Sequence, residues 1–161
     1  DIRGNTSVSL IIDPSPGLPM KLVERAVARK KRDTEIDEYW CVFDVEWPQN
    51  HPHLDRALRL ADSEGVNVAV TNPCFELWLI LHFQHQTAFL DNRRAEALSA
   101  QLDGRHGKRI DGAKYMPLRG DACSRAVALA AQHQRDGTVF PNNNPSSNMY
   151  ELLAAIEGIP R

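Results

Sequence analysis

Two apolar runs decide the fold: YWCVFDVE at residues 39–46 and VNVAVTNPCFELWLILHF at residues 66–83. The first run is apolar on both faces up to Asp44, which is typical of a strand that is covered on both sides in a parallel sheet. The second run begins with a short β-branched strand over residues 66–70. It continues into a helix that is apolar nearly all round, so we expect that helix to be central and buried.

The sequence around these runs predicts that strands and helices alternate. Upstream, β-branched residues predict a strand over residues 7–12, and an apolar stripe predicts a helix that starts at Pro19. Between the two runs, the spacing predicts a helix over residues 52–64. Asn72 is expected to cap a helix over residues 73–85 that opens on a proline. This order predicts an α/β fold with a parallel sheet flanked by helices.

The last part of the chain predicts helices without further strands. Helical patterns, separated by polar loops, cover three segments: residues 91–102, 122–134 and 149–157. Asn148 is expected to cap the last of these helices, because a glutamate follows three residues later. We therefore expect an α/β core over residues 1–90 and a helical C-terminal part of the same domain over residues 91–161.

The composition is that of a globular protein of ordinary size. The chain has 161 residues, of which 42% are hydrophobic and 25% are charged, and its formal net charge is -2. No apolar run approaches the ~20 residues that a membrane-spanning helix requires. The three cysteines are widely spaced and form no CxxC pair, which is not the pattern of a disulfide framework or a zinc knuckle. These features predict a cytoplasmic, reduced protein that has no membrane partner.

Several common catalytic signatures are missing from the sequence. It contains no GxGxxG, GxxxxGK[ST], GxSxG or HExxH motif. Their absence disfavours nucleotide-fold NTPases, serine hydrolases and zinc proteases of the HExxH type.

Two carboxylates close the first apolar run. Asp44 and Glu46 lie at i and i+2 of the expected strand, so both side chains should project from the same face. The carboxyl ends of parallel strands line the ligand crevice of an open sheet. Paired carboxylates there suit Mg²⁺ or Mn²⁺, and either cation would neutralise charge on a phosphodiester and activate water. A strand end that turns polar as it reaches the surface would also explain the pair.

Glu76 and three histidines are further candidates. Glu76 lies in the first turn of the expected buried helix, where the helix dipole stabilises a carboxylate, and its apolar neighbours require that the charge be paired or face a site. His82 lies on a different face of that helix and is interpreted as a core histidine. His51 and His53 belong to a loop that would overhang the end of the strand over residues 39–45.

Basic residues are dense in two segments. One is the end of the first helix, at Arg29–Arg32, where cations also suit the helix dipole. The other is a glycine-rich stretch over residues 103–120. If the protein binds nucleic acid, DNA or RNA, we expect phosphate contacts from one of these segments, so affinity should fall with salt. The candidate residues in the second segment are Arg105, Lys108, Arg109 and Lys114.

These residues carry a resemblance to the RloB-like protein family. The block Thr71–Phe83 is similar to a family segment that reads SNPCFELWLLLHF, and Val42–Glu46 is similar to the strand ending in FDxD/E that precedes it. Asn144–Asn148 resembles the family's NPST element, and Lys114-Tyr115 matches a Lys-Tyr position more loosely. The resemblance covers nearly the whole chain from about Ser7.

The resemblance implies a Toprim-like fold and a role in antiviral defence. The family is linked to restriction-modification loci and phage defence, and Toprim domains hold Mg²⁺ for phosphodiester chemistry with a glutamate and a later D-x-D. The resemblance assigns Asp44 and Glu46 to the D-x-D role, as catalytic metal ligands, and Glu76 to an adjacent acidic role. It implies Mg²⁺ or Mn²⁺ as the cofactor, a nuclease-like activity, and a partner protein from a defence locus.

The start of the sequence departs from the family's pattern. Family members begin with a strand that runs into an E-G-x-x-T-E-like segment, and nothing before Ser7 matches it, while Asp13–Gly17 holds no glutamate. This departure predicts that the first β-α unit and its carboxylate are missing. We therefore expect weak metal binding and one strand edge of the sheet that is exposed or covered by crystal or dimer contacts.

Two other functions remain open at this point. A catalytically incomplete partner or sensor module of an abortive-infection system would keep the acidic pair as a structural remnant. A phosphatase of the haloacid-dehalogenase type is a third interpretation, because residues 43–46 superficially resemble its nucleophile strand. Trp47-Pro48 would crowd that phosphatase site, which disfavours the third interpretation.

Overall fold

The computed structural model describes residues 8–107 and 109–159. Helices and strands alternate over the first half of the chain, and helices dominate the second half. In chain order the elements are α1 (Pro19–Lys30), β1 (Trp40–Asp44), α2 (Leu54–Glu64), β2 (Asn67–Asn72), α3 (Glu76–Phe83), α4 (Asn92–Asp103), α5 (Gly112–Tyr115), a 3₁₀ turn (Met116–Leu118), α6 (Arg119–Asp136), β3 (Ser146–Ser147) and α7 (Met149–Glu157).

The sheet has three strands in the order β1-β2-β3. β1 and β2 are parallel, with Asp44 opposite Thr71, whereas β3 is antiparallel to β2 and pairs Ser147 with Thr71. The predicted α/β class is confirmed, but the sheet is mixed, so the prediction of a purely parallel sheet is wrong. The prediction that strands stop after residue 91 is also wrong. Ser146 and Ser147 lack the apolar, β-branched pattern by which strands are recognised.

Helices pack on both faces of the sheet and enclose two hydrophobic cores. α1 and α2 cover one face, where Val23 and Ala57 pack in a cluster with Phe43 of β1. α3, α4, α6 and α7 cover the other face around Leu77 and Ile80, which are fully buried. α3 lies at the centre of this second core, as its apolar composition predicts. The helices after residue 91 thus complete the core that the first half begins.

β1 is less enclosed than its sequence suggests. Cys41 and Phe43 are buried against α1 and α2, but Val42 on the opposite face is 45% exposed. The expectation of a strand covered on both faces is wrong at Val42, because the second layer of helices packs over β2 instead. The outer edge of β1 pairs with no strand in the part of the chain that the structure describes. β1 is therefore an edge strand of the sheet in the described residues.

Residues 8–12 form no strand, so the prediction of a strand over residues 7–12 is wrong for its described part, and Ser7 lies outside the described residues. Their apolar side chains are exposed. Arg25 of α1 donates hydrogen bonds to the carbonyl oxygens of Ser15 and Pro16, at 3.1 and 3.2 Å. These bonds connect the residues directly before α1 to that helix. β-branched residues form a strand only where a neighbouring strand pairs with them.

The helix boundaries follow the predicted segments with two corrections. α3 begins at Glu76, and Asn72 is the buried last residue of β2 rather than a helix cap. The Asn72 side chain donates instead to the Pro141 carbonyl oxygen at 2.8 Å and to the Asn143 side-chain oxygen at 3.2 Å. The stretch predicted as loop over residues 103–120 contains α5 and the 3₁₀ turn.

Residues 144–148, here called the closing segment, bind the edge of β2 that faces away from β1. The Asn148 side chain accepts a hydrogen bond from the Val70 N–H at 2.6 Å and donates one to the Val68 carbonyl oxygen at 3.0 Å. The side-chain amide therefore pairs with β2 as the backbone of a neighbouring strand would. Asn148 precedes α7 as expected, but its side chain makes no capping bond to that helix.

Asn144, at the other end of the closing segment, also pairs with the backbone of a distant residue through its side-chain amide. Its side chain accepts from the Leu90 N–H at 3.1 Å and donates to the Leu90 carbonyl oxygen at 2.7 Å. Between the two asparagines, the hydroxyl groups of Ser147 and Thr71 are 3.0 Å apart and share a hydrogen bond. The closing segment thus satisfies backbone groups that would otherwise be unpaired at the edge of the sheet.

The substitution Asn148→Ala should lower the free energy of unfolding by about 2–3 kcal/mol, because it removes two hydrogen bonds and leaves their partly buried backbone partners unpaired. Urea unfolding measures this effect. Asn142→Ala, in the exposed loop before the closing segment, is the matched control and should change stability by less than about 0.5 kcal/mol. Equal losses in the two variants would show that Asn148 does not hold β2.

Candidate functional site

Three carboxylates from separate positions converge at the carboxyl end of β1. Asp44 is the last residue of β1, Glu46 follows in the next turn, and Glu76 opens α3. We call these three residues the carboxylate cluster. Burial, with a further contribution from the charges of Glu46 and Glu76, raises the pKa of Asp44 to about 7, although a hydrogen bond from the Phe75 N–H opposes this shift. The structure thus brings the three predicted catalytic residues within electrostatic range of one another.

Glu46 is positioned by a turn rather than by the pleat of a strand. β1 ends at Asp44, and Glu46 has a φ of 69°, in the left-handed region that side-chain-bearing residues rarely adopt. Its N–H donates to the Pro73 carbonyl oxygen at 2.8 Å, close to the start of α3. The expectation that Asp44 and Glu46 share a strand face through i, i+2 spacing is therefore wrong in its reason. The turn, not the spacing, brings the two carboxylates near each other.

Two polar neighbours contact the Glu46 carboxylate. Asn92, the first residue of α4, donates its side-chain amide to Glu46, and its Oδ1 accepts from the Trp47 N–H at 3.0 Å. His51 Nε2 lies 3.9 Å from Glu46 Oε1, so one histidine of the predicted overhanging loop does reach the cluster. His53 is exposed at the start of α2. Sequence reasoning missed Asn92, because an asparagine at a helix start is ordinarily interpreted as a cap.

Glu76 interacts electrostatically both with Asp44 and with a partly buried arginine, Arg105. The Cys74 thiol donates a hydrogen bond to Glu76, and burial together with the Glu76 charge raises the pKa of Cys74 far above its ordinary value. Cys74 is therefore an unreactive core thiol, as expected. Burial lowers the pKa of Arg105, but Asp103, Tyr115 and Glu76 together raise it. The Glu76 charge is thus attracted by Arg105 and repelled by Asp44.

Arg105 and Lys114, two predicted ligands of nucleic acid, both bind Asp103. The Arg105 guanidinium lies 2.8 Å from Asp103 Oδ2, and the Tyr115 hydroxyl donates to the same oxygen at 2.5 Å. Lys114 Nζ donates to the Asp103 carbonyl oxygen at 2.7 Å. We call Asp103, Arg105 and Tyr115 the Asp103 cluster. In this structure the charged groups of Arg105 and Lys114 therefore bind Asp103 of the same chain.

The other predicted basic contacts differ in their exposure. Arg109 is exposed, and Lys108 lies outside the described residues. At the end of α1, Lys30 Nζ donates to the Glu64 carbonyl oxygen at 2.9 Å, and Lys31 Nζ lies 3.1 Å from the Glu64 carboxylate. That any of these residues contacts nucleic acid stays a prediction.

His82 is a core histidine, as the sequence suggested. It is buried, its Nδ1 lies 2.8 Å from the Trp78 carbonyl oxygen, and burial lowers its pKa. Its ring packs edge-on against the rings of Trp78 and Tyr115, with centroids 5.0 and 5.1 Å apart. His82 therefore connects α3 to the Asp103 cluster and takes no part in the carboxylate cluster.

The carboxylate cluster offers few protein ligands to a divalent cation. Carboxylate oxygens are the ligands that Mg²⁺ prefers, and Asp44 and Glu46 supply two of them. Within residues 8–107 and 109–159, however, no group of three His, Cys, Asp or Glu side chains is placed to hold one ion. This donor set suits a cation that keeps several waters and completes its shell with phosphate oxygens of a substrate.

The fold and the site define an α/β protein with an acidic edge at the carboxyl ends of its parallel strands. The family model described as RloB-like protein matches residues 5–156 of the chain. The chain belongs to the RloB-like protein family, which confirms the resemblance. No curated protein and no solved structure matches it. In the described part of the chain, no helix is long and apolar enough to cross a membrane.

Proposed function

We propose that this RloB-like protein is a defence protein whose carboxylate cluster supports metal-dependent cleavage of a phosphodiester in nucleic acid. The observation that carries the proposal is the convergence of Asp44, Glu46 and Glu76, which is close enough to help raise the pKa of Asp44 to about 7. Holding carboxylates this near to one another is unfavourable unless something neutralises them. A divalent cation would do so. A Toprim-like arrangement of the parallel strands around this edge is part of the same proposal.

Each residue of the cluster has a distinct role in this proposal. Asp44 and Glu46 would hold Mg²⁺ or Mn²⁺, which would neutralise phosphate charge and activate water when bound. Asn92 fixes the Glu46 carboxylate through its side-chain amide. Glu76 supplies the third negative charge of the site, and the Cys74 thiol, as a hydrogen-bond donor, orients it. A cytoplasmic location and a partner from a defence locus belong to the same proposal. The free cysteines of the chain support a reducing compartment.

One observation favours the alternative function, a catalytically incomplete partner or sensor module. No three potential ligands in the described residues are placed around one ion, and the Glu46 carboxylate already has Asn92 as a partner. In such a module the carboxylates would remain as part of the fold, and neither cations nor nucleic acid cleavage would depend on them.

Metal binding separates the two functions. A calorimetric titration with Mn²⁺ should show binding that weakens at least about tenfold in Asp44→Asn and in Glu46→Gln, because each change removes a ligand charge. Since Asp44 has a pKa of about 7 and must lose its proton to bind, affinity at pH 6 should be about tenfold weaker than at pH 8. Asp62→Asn, at an exposed carboxylate of α2, should leave both values unchanged.

Cleavage of labelled oligonucleotides completes this test. Single-stranded DNA, single-stranded RNA and duplex DNA are incubated with the protein in Mn²⁺ and, as a reference, in EDTA. The proposal expects cleavage that requires the cation and that Asp44→Asn and Glu46→Gln both abolish. Equal Mn²⁺ affinity in all variants, with no cleavage of any substrate, would contradict the proposal and support the partner or sensor module.

A further inference from the structure

Two exposed aromatic rings lie beside the carboxylate cluster. Trp47 directly follows Glu46, and its ring meets that of Phe89 edge-to-face, with centroids 5.4 Å apart and planes at 87°. Their exposed fractions are 39% and 48%. Among the Phe, Trp and Tyr side chains that the structure describes, only these two are exposed, and they contact each other. The exposed parts of the two rings form an apolar surface directly beside the acidic edge.

Asn92 fixes this aromatic pair relative to the carboxylates. Its Oδ1 accepts from the Trp47 N–H at 3.0 Å, its backbone N–H donates to the Trp47 carbonyl oxygen at 3.5 Å, and its side-chain amide donates to Glu46. The backbone of Trp47 and the carboxylate of Glu46 therefore share one anchor. A group bound on the rings would keep a defined position relative to the acidic edge.

Two arginines directly follow Asn92 in the sequence. Arg93 and Arg94 are exposed in the first turn of α4. Cations are unfavourable at the N-terminal end of a helix, where the dipole is positive, so stability of α4 does not account for them. Arginine side chains are suited to phosphate groups. The Trp47 backbone and the Glu46 carboxylate thus contact Asn92, and the two arginines follow Asn92 directly in the chain.

We infer that the Trp47 ring, supported by the perpendicular ring of Phe89, stacks an unpaired base of a single-stranded nucleic acid and so places its phosphodiester at the carboxylate cluster. This inference rests on the proposed function and names its substrate class, single-stranded DNA or RNA. Every base has a flat aromatic face that stacks on such rings whatever its sequence, whereas the bases of a duplex are already stacked on one another. The arginines of α4 contact the backbone on either side of the stacked base.

Binding without cleavage tests this inference. Fluorescence anisotropy in EDTA measures the affinity of the full chain for a labelled single strand of about ten nucleotides, as DNA and as RNA, and for the matching duplex. Trp47→Ala should weaken binding of the single strand by about 5- to 100-fold, the usual effect of losing one stacked base. Trp47→Phe should retain most of the affinity. Val139→Ala, at a side chain that is 70% exposed, is the control and should change nothing.

A second arm removes the base instead of the ring. An otherwise identical strand that is abasic at every position should bind the native protein about as weakly as Trp47→Ala binds the intact strand, and Trp47→Ala should cause no further loss with the abasic strand. Equal affinity of Trp47→Ala and native protein for the intact strand would overturn the inference. A preference for the duplex would do the same.

The two proposals fail separately. Trp47-dependent binding in EDTA without any cleavage in Mn²⁺ would leave base stacking standing and would contradict the nuclease function. Cation-dependent cleavage with unchanged binding in Trp47→Ala would contradict base stacking and leave the nuclease function standing. The aromatic substitutions are at exposed rings, so melting temperatures close to that of the native protein are expected and confirm that each variant is folded.

Discussion

The substitution Asp103→Ala should lower the free energy of unfolding by about 3–5 kcal/mol, because it leaves the buried Arg105 charge without its partner. The Asp103 side chain is 2% exposed and the Arg105 side chain is 11% exposed. The Tyr115 hydroxyl would also lose the oxygen to which it donates. Urea unfolding at neutral pH measures the loss.

Two controls test whether this loss of stability comes from the unpaired Arg105 charge. Tyr115→Phe removes one hydrogen bond and should cost only about 1 kcal/mol. Asp62→Ala removes a carboxylate from the exposed surface of α2 and should change stability by less than about 0.5 kcal/mol. If Asp103→Ala were no more destabilising than Tyr115→Phe, the ion pair would contribute little to the fold.

Asp103 also makes stability depend on acid. Burial alone would raise its pKa, but hydrogen bonds from Tyr115 and Arg105 outweigh burial and lower the pKa below its ordinary value. Its stabilising contribution is therefore present above the pKa of the unfolded chain and is lost as pH falls through the folded pKa. Asp103→Ala should abolish this part of the acid sensitivity.

The substitution Asp44→Asn should have the opposite effect and stabilise the metal-free protein at pH 8, by up to about 4 kcal/mol. The pKa of Asp44 rises from 3.8 to about 7, so at pH 8 the fold holds a carboxylate that burial and two neighbouring charges disfavour. Asparagine has the same shape, carries no charge and can still accept a hydrogen bond from the Phe75 N–H. Urea unfolding in EDTA measures the gain.

The gain from Asp44→Asn should depend on pH in a defined window. The native state keeps the Asp44 proton to higher pH than the unfolded chain does, so this group's contribution to stability is complete below pH 4 and declines between about pH 4 and 7. Native protein and variant should therefore be about equally stable near pH 4 and differ most above pH 7. A difference that stayed constant across this range would show that the Asp44 charge is not the cause.

Strongly apolar segments made much of the fold predictable. β1, β2 and α3 form close to their predicted ranges, because runs such as residues 66–83 can be satisfied only by burial. The position of Asp44 at a strand end followed from the same pattern. The turn at Glu46 could not be predicted, because no sequence pattern marks a glutamate that adopts a positive φ.

The closing segment is the main feature that sequence reasoning missed, because its polar side chains have partners that are distant in the chain. The asparagines and serines of the closing segment are typical of turns, so the sequence predicts a loop there. In the structure, Asn148 pairs with residues of β2 that lie 78 and 80 positions earlier. Arg105 and Lys114 were interpreted as a surface for nucleic acid because charges are ordinarily exposed. Their common partner, Asp103, lies only 2 and 11 positions earlier, but the sequence does not show that it is buried.

The position of the closing segment in the sequence also sets the time for which β2 lacks its second neighbouring strand during synthesis on the ribosome. Val68 and Val70 meet their partner only when residue 148 has been made, 78 to 80 residues later. At about 5–20 residues per second, this delay is roughly 4 to 16 seconds. An open strand edge is a template for pairing with other chains. Until residue 148 has been made, this edge of β2 is therefore open to neighbouring chains on the same messenger RNA.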